Sequence, residues 1–91
     1  MRRAAKVDGN SQPIVDALRA IGASVDILPG GSGRPDLLVG FGGKNYLLEC
    51  KLPVGGRFTP KQKQWHASWC GKAHVVRCVE DAMAIIGARI G

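Results

Sequence analysis

Two carboxylates and a lysine occupy matched positions on either side of a short turn. Asp36 opens one apolar run, Glu49 and Lys51 close the next, and Gly42-Gly43 separates them. A Gly-Gly pair between two apolar runs predicts a tight β-hairpin. If the glycines are the central turn residues, Asp36 faces Glu49, with Cβ atoms roughly 4.5–5.5 Å apart. Lys51 lies two residues beyond Glu49 and therefore shares its face.

Opposed carboxylates on a mostly apolar hairpin repel each other. A divalent cation between them reverses the sign of that interaction. Two hard oxygen ligands with room for water and phosphate oxygens suit Mg²⁺ or Mn²⁺ better than zinc. The Lys51 ammonium beside such a cation could stabilise negative charge or orient an attacking water. The interpretation depends on the register, because a slip of one residue would turn Asp36 to the other face.

Each of these side chains also has a simpler explanation. Asp36 follows Pro35 and could be a turn residue. Glu49 and Lys51 could form an exposed pair that adds little stability. The placement of all three on one face of two facing strands favours a functional site.

The same residues resemble the signature of a nuclease superfamily. Pro35-Asp36 followed by Glu49-Cys50-Lys51 resembles the PD-(D/E)xK motif, and the neighbouring residues resemble the VRR-NUC domain, especially its small stand-alone members from phages and prophages. The segments that carry the likeness are 33–40, 48–52, 58–62 and 65–66, within a match from Gln12 to Ile86. The resemblance implies an α/β fold with a mixed sheet flanked by helices, the αβββαβ core of the restriction-endonuclease type.

The resemblance also implies roles for individual positions. Asp36 and Glu49 would bind Mg²⁺ or Mn²⁺, with the backbone carbonyl of Cys50 as a further ligand, and Lys51 would orient or activate water. Gln62 keeps two interpretations. It either completes a helix cap with Thr59, or it holds water or phosphate near the metal.

The first helix leaves a second question open. Related enzymes often carry an acidic or amide residue there that faces the metal, and resolvase-like relatives carry a glutamate. The distance back from Asp36 points to Gln12, which departs from the glutamate version. Asp16, one turn further on, is the acidic alternative, and Gln12 could also be a solvated amide of the first turn.

The composition favours a polyanionic partner. The 91 residues include 13 basic and 7 acidic side chains, for a net charge of +6, and such an excess is typical of nucleic-acid-binding domains. Arg34, Arg57 and Lys61 are the candidate phosphate contacts. The glycine-rich loop at 29–35 does not lead into a helix, which excludes a Walker or dinucleotide loop. Residues 1–9 are basic and predict a loose arm.

The remaining bounds concern size, redox state and location. One domain over residues 1–91 is expected, and because such a small domain is marginal alone, a dimer partner would help. Three cysteines without metal-ligand spacing favour a reduced environment. The chain has no signal peptide and no apolar run that could cross a membrane, so we expect it in the cytoplasm, that of the bacterial host if the protein is phage-encoded.

The pattern of apolar residues predicts seven elements. They are a helix at 11–21, a strand at 23–28, the two hairpin strands, a helix at 60–70, a strand at 74–79 and a helix at 80–88. Val25 and Ile27 are expected on one buried face. Trp69 is expected in the core. His66 could be a proton relay, but a lone histidine at a helix surface usually is not one, and the metal chemistry does not require it. The last helix either completes the core or supports a dimer contact.

These features together predict a metal-dependent DNA endonuclease. The resemblance implies a homodimer that acts on Holliday junctions or other branched DNA. A ribonuclease is a variant that the sequence leaves open. The rival hypotheses are a non-catalytic accessory protein that binds nucleic acid and a basic interaction module without a nucleic-acid role.

Overall fold

The computed structural model describes residues 11–88, and the predicted basic arm at 1–9 lies outside the described residues. The element order confirms the predicted αβββαβ arrangement with a C-terminal helix. The helices are α1 (Ser11–Ala20), α2 (Pro60–Ser68) and α3 (Val79–Ile86), and the strands are β1 (Ser24–Ile27), β2 (Leu37–Phe41), β3 (Lys44–Cys50) and β4 (His74–Val76).

The four strands form one mixed sheet in the order β1-β2-β3-β4. The pairs β1–β2 and β2–β3 are antiparallel, whereas β4 joins β3 in parallel after the crossover through α2. Leu37 pairs with Leu48 and Phe41 with Lys44, which confirms the predicted hairpin register. The turn residues Gly42 and Gly43 have φ of 60° and 81°. A two-residue turn that needs positive φ twice accepts glycine readily.

The hydrophobic core lies between one face of the sheet and the helices α1 and α3. Alternate residues of the strands point into it, and Leu48 and Cys50 do so on either side of Glu49, as the period of a strand requires. α3 completes this core. The fully buried residues include Ile14, Leu18, Leu37, Val39, Leu48, Cys50, Val76 and Ala82.

α2 crosses part of the opposite face of the sheet, where Gln62 and His66 contact Glu49, and here two expectations were wrong. α2 ends at Ser68, two residues earlier than predicted, and Trp69 follows it in extended backbone with 46% of its surface exposed. Trp69 is therefore not a core residue. None of the nine residues of α2 is fully buried, and the sheet residues that it approaches include the buried charged side chains Glu49 and Lys51.

Two strand predictions also need correction. Ile27 is 52% exposed although Val25, on the same side of β1, is buried. Ile27 ends an edge strand, where fewer neighbours can cover a side chain. The predicted strand at 74–79 stops at Val76, because Val79 already begins α3 and the Arg77 backbone N–H donates to Asp81 Oδ2 at 2.8 Å.

Two further findings bear on the sequence-based bounds. No helix within residues 11–88 is long and apolar enough to cross a membrane. The three cysteines are free thiols, with Cys50 buried, Cys78 half-buried and Cys70 exposed.

A close backbone contact joins the glycine-rich loop to α2. Gly33 has a φ of +84°, and a Cβ at this position would collide with the carbonyl group of Lys61 in the first turn of α2. Lys61 Nζ also donates to the Gly31 carbonyl at 3.2 Å. This contact sets the position of the chain just before Asp36 relative to the N-terminus of α2.

Replacing Gly33 tests this contact. We expect Gly33→Ala to lower the free energy of unfolding by about 1–3 kcal/mol, because the new Cβ meets backbone atoms and the φ is unfavourable for alanine. Gly30→Ala is the matched control, since a Cβ there meets nothing within 4 Å, and it should be neutral or slightly stabilising. Urea denaturation of both variants measures the difference, and equal stabilities would contradict the contact.

Candidate active site

Asp36 lies at the point where the loop enters the sheet. Its backbone N–H donates to the Leu48 carbonyl at 3.1 Å, and its own carbonyl accepts from the Leu28 N–H at 2.8 Å. The side-chain Oδ2 accepts from the Cys50 N–H at 2.8 Å. The carboxylate of Asp36 is thus held against the end of β3, next to the backbone of Cys50.

Glu49 and Lys51 extend from the same end of β3, on the face opposite the hydrophobic core. Their side chains are nearly inaccessible, with 1% and 6% exposure, and Lys51 Nζ lies 3.6 Å from Glu49 Oε2. With this register, the side chains of Asp36, Glu49 and Lys51 lie close together at the end of β3. An exposed ion pair of little consequence is excluded, because both groups are buried.

The Lys51 ammonium is bound by one backbone acceptor and one side-chain acceptor. It donates to the Arg57 carbonyl at 2.9 Å and to Gln62 Oε1 at 2.7 Å. The Phe58 ring lies beneath it, with 5.2 Å between Nζ and the ring centroid, a distance at which a cation is attracted to the aromatic face. The loop between β3 and α2 thus fixes the direction of Lys51.

Gln62 connects the cap of α2 to the charged groups. The side-chain Oε1 of Gln62 accepts from the Thr59 backbone N–H at 2.9 Å, and the backbone N–H of Gln62 donates to Thr59 Oγ1 at 3.2 Å. These two bonds confirm the predicted capping box. The same side chain contacts the site, since Oε1 also accepts from Lys51 and Nε2 donates to Glu49 Oε2 at 3.1 Å. The capping box of α2 therefore also holds the Gln62 amide between Lys51 and Glu49.

His66 belongs to this cluster, contrary to the expectation from the sequence. Its Nε2 lies 3.7 Å from Glu49 Oε1, and its ring stacks against Phe58 with a centroid distance of 4.7 Å. The signal in the sequence was its spacing, because His66 is one helical turn after Gln62 and shares its face. Placing it on an open surface was wrong.

The buried charges perturb one another. Burial, and then the neighbouring Asp36 carboxylate, raise the pKa of Glu49 from 4.5 to about 8 despite the opposing effect of Lys51. Burial lowers the pKa of His66, and Lys51 lowers it further. A carboxyl group with so high a pKa beside a second carboxylate is typical of functional sites.

The groups present fit a hard divalent cation. Among the described residues, Glu49 Oε1 and His66 Nε2 are buried without a hydrogen-bond partner, and a buried unsatisfied carboxylate oxygen is costly. No cluster of three or more His, Cys, Asp or Glu side chains suited to a metal occurs within residues 11–88. The side chains thus supply two carboxylates, which matches Mg²⁺, an ion that keeps several waters and takes one or two protein carboxylates.

The other predicted residues fall into two groups. Arg34 and Lys61 line the same pocket as Asp36 and Gln62. Arg34 Nε donates to Ser32 Oγ at 2.8 Å.

The second group comprises Arg57, which contacts the site through its backbone, and Gln12, whose side chain contacts Asp16. The Arg57 side chain is exposed, and the group that reaches the site is its backbone carbonyl. Gln12 is exposed on α1, where its Nε2 donates to Asp16 Oδ1 at 2.9 Å. The two candidates for the first-helix position therefore contact each other.

Arg77 is a supporting residue that sequence reasoning missed. Its Nη1 donates to the Leu52 carbonyl at 2.7 Å, and the guanidinium also reaches the Gly56 carbonyl at 3.4–3.5 Å. These bonds tie the loop after β3 to the end of β4. No local pattern predicts them, because the partners are more than twenty residues apart in sequence.

The chain matches no family model, no curated protein and no solved structure.

The raised pKa of Glu49 predicts how stability depends on pH in the absence of metal. The folded state binds this proton more tightly than the unfolded state does, so its contribution is complete below the unfolded pKa of about 4.5. It is lost as the pH rises through about 8. In EDTA, the free energy of unfolding should therefore fall between pH 5.5 and 9, and it should fall less in Glu49→Gln.

Urea denaturation across this range measures the effect. Asp26→Gln is the control, because Asp26 is an exposed carboxylate on β1 and should leave the pH dependence of the wild type in place. Parallel pH profiles for the wild type and Glu49→Gln would contradict the perturbed carboxyl group.

Proposed function

We propose that this protein is a metal-dependent DNA endonuclease of the VRR-NUC type within the PD-(D/E)xK superfamily. The observation that carries the proposal is the cluster in which the buried Glu49 and Lys51 lie beside the half-buried Asp36 and Gln62. A small domain has no structural need to bury the Glu49 carboxylate beside the half-buried carboxylate of Asp36, because the arrangement costs stability when both are charged. Binding a divalent cation would offset that cost.

Asp36 and Glu49 are the residues that would hold Mg²⁺ or Mn²⁺, with the Cys50 carbonyl as the further ligand that the resemblance implies. The cation would supply stabilisation of the charge that develops on the phosphate and on the leaving oxygen. Lys51 presents a fixed ammonium beside the carboxylates, where it orients the attacking water or stabilises negative charge. Gln62 bonds both Lys51 and Glu49, and the resemblance implies that its amide would hold water or phosphate near the metal.

The proposed substrate is DNA, bound mainly through its phosphates. The net charge of +6 favours a polyanion, and Arg34 and Lys61 line the pocket that contains Asp36. Arg57, whose side chain is exposed and whose carbonyl accepts from Lys51, is a further candidate phosphate contact. Such contacts position a backbone without reading its sequence, so selectivity would come from the shape of the DNA.

The resemblance extends the proposal to the assembly and the substrate. We propose a homodimer that cuts Holliday junctions or other branched DNA, since two sites related by a two-fold axis match a substrate with two strands to cut. For a phage-encoded protein, the place of action is the cytoplasm of the bacterial host.

Cleavage assays test the proposal. The wild type should cut a labelled four-way junction in Mg²⁺ or Mn²⁺ and not in EDTA, and linear duplex and single strand should rank below it. Lys51→Ala should lower the cleavage rate at least about 100-fold, because it removes a fixed charge from the reacting centre. Lys44→Ala removes the same charge from an exposed position at the hairpin turn and should cut nearly as well as the wild type.

The alternative outcomes separate the rival functions. Tight binding of the junction without cutting in either metal would favour the non-catalytic accessory protein. Cutting of RNA in preference to DNA would favour the ribonuclease. Equal losses in Lys51→Ala and Lys44→Ala would contradict a special role for Lys51.

A further inference from the structure

An apolar groove lies on the side of the sheet that α2 crosses, next to the candidate active site. Its walls are Leu28, Pro35 and Leu47, together with Trp65 and Trp69. Its volume is about 510 Å³, within the range of sites that bind small molecules. We refer to these five residues as the tryptophan groove.

The two indoles form an aromatic platform within the groove. Their ring centroids are 4.6 Å apart, and the ring planes differ by only 15°. The backbone N–H of Trp69 donates to the Trp65 carbonyl at 3.0 Å, a hydrogen bond that caps the C-terminus of α2. Trp69 is 46% exposed although one of its faces is covered by Trp65, so much of the rest of its indole is accessible.

Cationic side chains join the groove to the carboxylates. Arg34 lines both the tryptophan groove and the pocket that contains Asp36 and Lys61. Pro35, a wall of the groove, directly precedes Asp36 in the chain. The aromatic platform, the basic side chains and the Asp36 carboxylate thus lie along one continuous surface.

We propose that the tryptophan groove binds an unpaired nucleobase of the DNA strand that is cut at the neighbouring site, an inference that rests on the proposed function. The base stacks on the accessible part of the Trp69 indole, and Arg34 and Lys61 contact the adjoining phosphates. Aromatic platforms beside basic side chains are the usual means of binding single-stranded nucleic acid. A base within a duplex is covered on both faces by its neighbours, so only an unpaired base fits.

A second copy of the chain is the competing occupant, and charge disfavours it. Two copies that met through this groove would bring two sets of Arg34 and Lys61 together, and like charges across an interface are costly. A nucleic-acid strand carries the complementary charge. The groove therefore narrows the substrate class to branched, flapped or bulged DNA with unpaired nucleotides next to the cleaved phosphate.

The tryptophans allow a direct test in EDTA, where no cleavage occurs. The chain contains two tryptophans, and both line the groove. Tryptophan fluorescence, excited selectively over that of tyrosine, therefore reports on the groove. We expect oligothymidylate to quench this fluorescence, and an abasic oligonucleotide of equal length to quench it little.

Affinities follow from the anisotropy of labelled oligonucleotides. Trp69→Ala should bind oligothymidylate about 5–150-fold more weakly, the equivalent of about 1–3 kcal/mol for one stacked base. It should bind the abasic strand as the wild type does, and Trp69→Phe should retain most of the affinity for oligothymidylate. Melting temperatures close to that of the wild type would show that both variants fold.

Several results would overturn the inference. One is equal affinity of the wild type and Trp69→Ala for oligothymidylate. Another is a dimer that Trp69→Ala converts to a monomer without a change in affinity, which would assign the groove to contact between copies. If the wild type cuts junctions and Trp69 has no effect, only the groove proposal fails. If the protein neither binds nor cuts DNA, both proposals fail.

Discussion

The repulsion between two carboxylates that face each other on one hairpin governs the candidate site. Asp36 and Glu49 are brought together by the register of β2 and β3, which the core on the other face holds in place through Leu37 and Leu48. A slip of one residue would move Leu48 out of the core and Glu49 into it, so the hydrophobic effect enforces the electrostatic contact. Lys51 and Gln62 both contact Glu49 at this point. The pKa of Glu49 is raised first by burial and then by the proximity of Asp36.

The sheet divides the molecule into a side that supplies stability and a side that supplies chemistry. Between the sheet and the helices α1 and α3, the residues are apolar and fully buried. Beneath α2, the same strands present carboxylates and an ammonium, and α2 contributes the Gln62 amide and the His66 ring. Gly33 and Arg77 bring the two loops of this side against α2 and β4. The strands thus position the charged side chains, and the two loops supply further contacts around them.

The sequence predicted the features that depend on short-range pattern. The Gly42-Gly43 turn and the alternation of apolar residues determine the register, and the residues 59–62 carry a capping box that needs no tertiary information. The exposure of Trp69 was not predictable from its spacing to Trp65, because spacing shows that two residues share a face and not what the face packs against. The position of His66 against Glu49 depends on the crossing of α2 over the sheet, and the contacts of Arg77 join segments distant in sequence. The family resemblance added a functional hypothesis that no local pattern contains.

Calorimetric titration of the wild type with Mn²⁺ tests the central claim most directly, because it asks whether the facing carboxylates form a cation site. The account predicts binding by the wild type and an affinity at least about tenfold weaker in Asp36→Asn. Asp26→Asn, which neutralises an exposed carboxylate on β1, should bind as the wild type does. Equal affinity in all three proteins, or no binding by the wild type, would contradict the account.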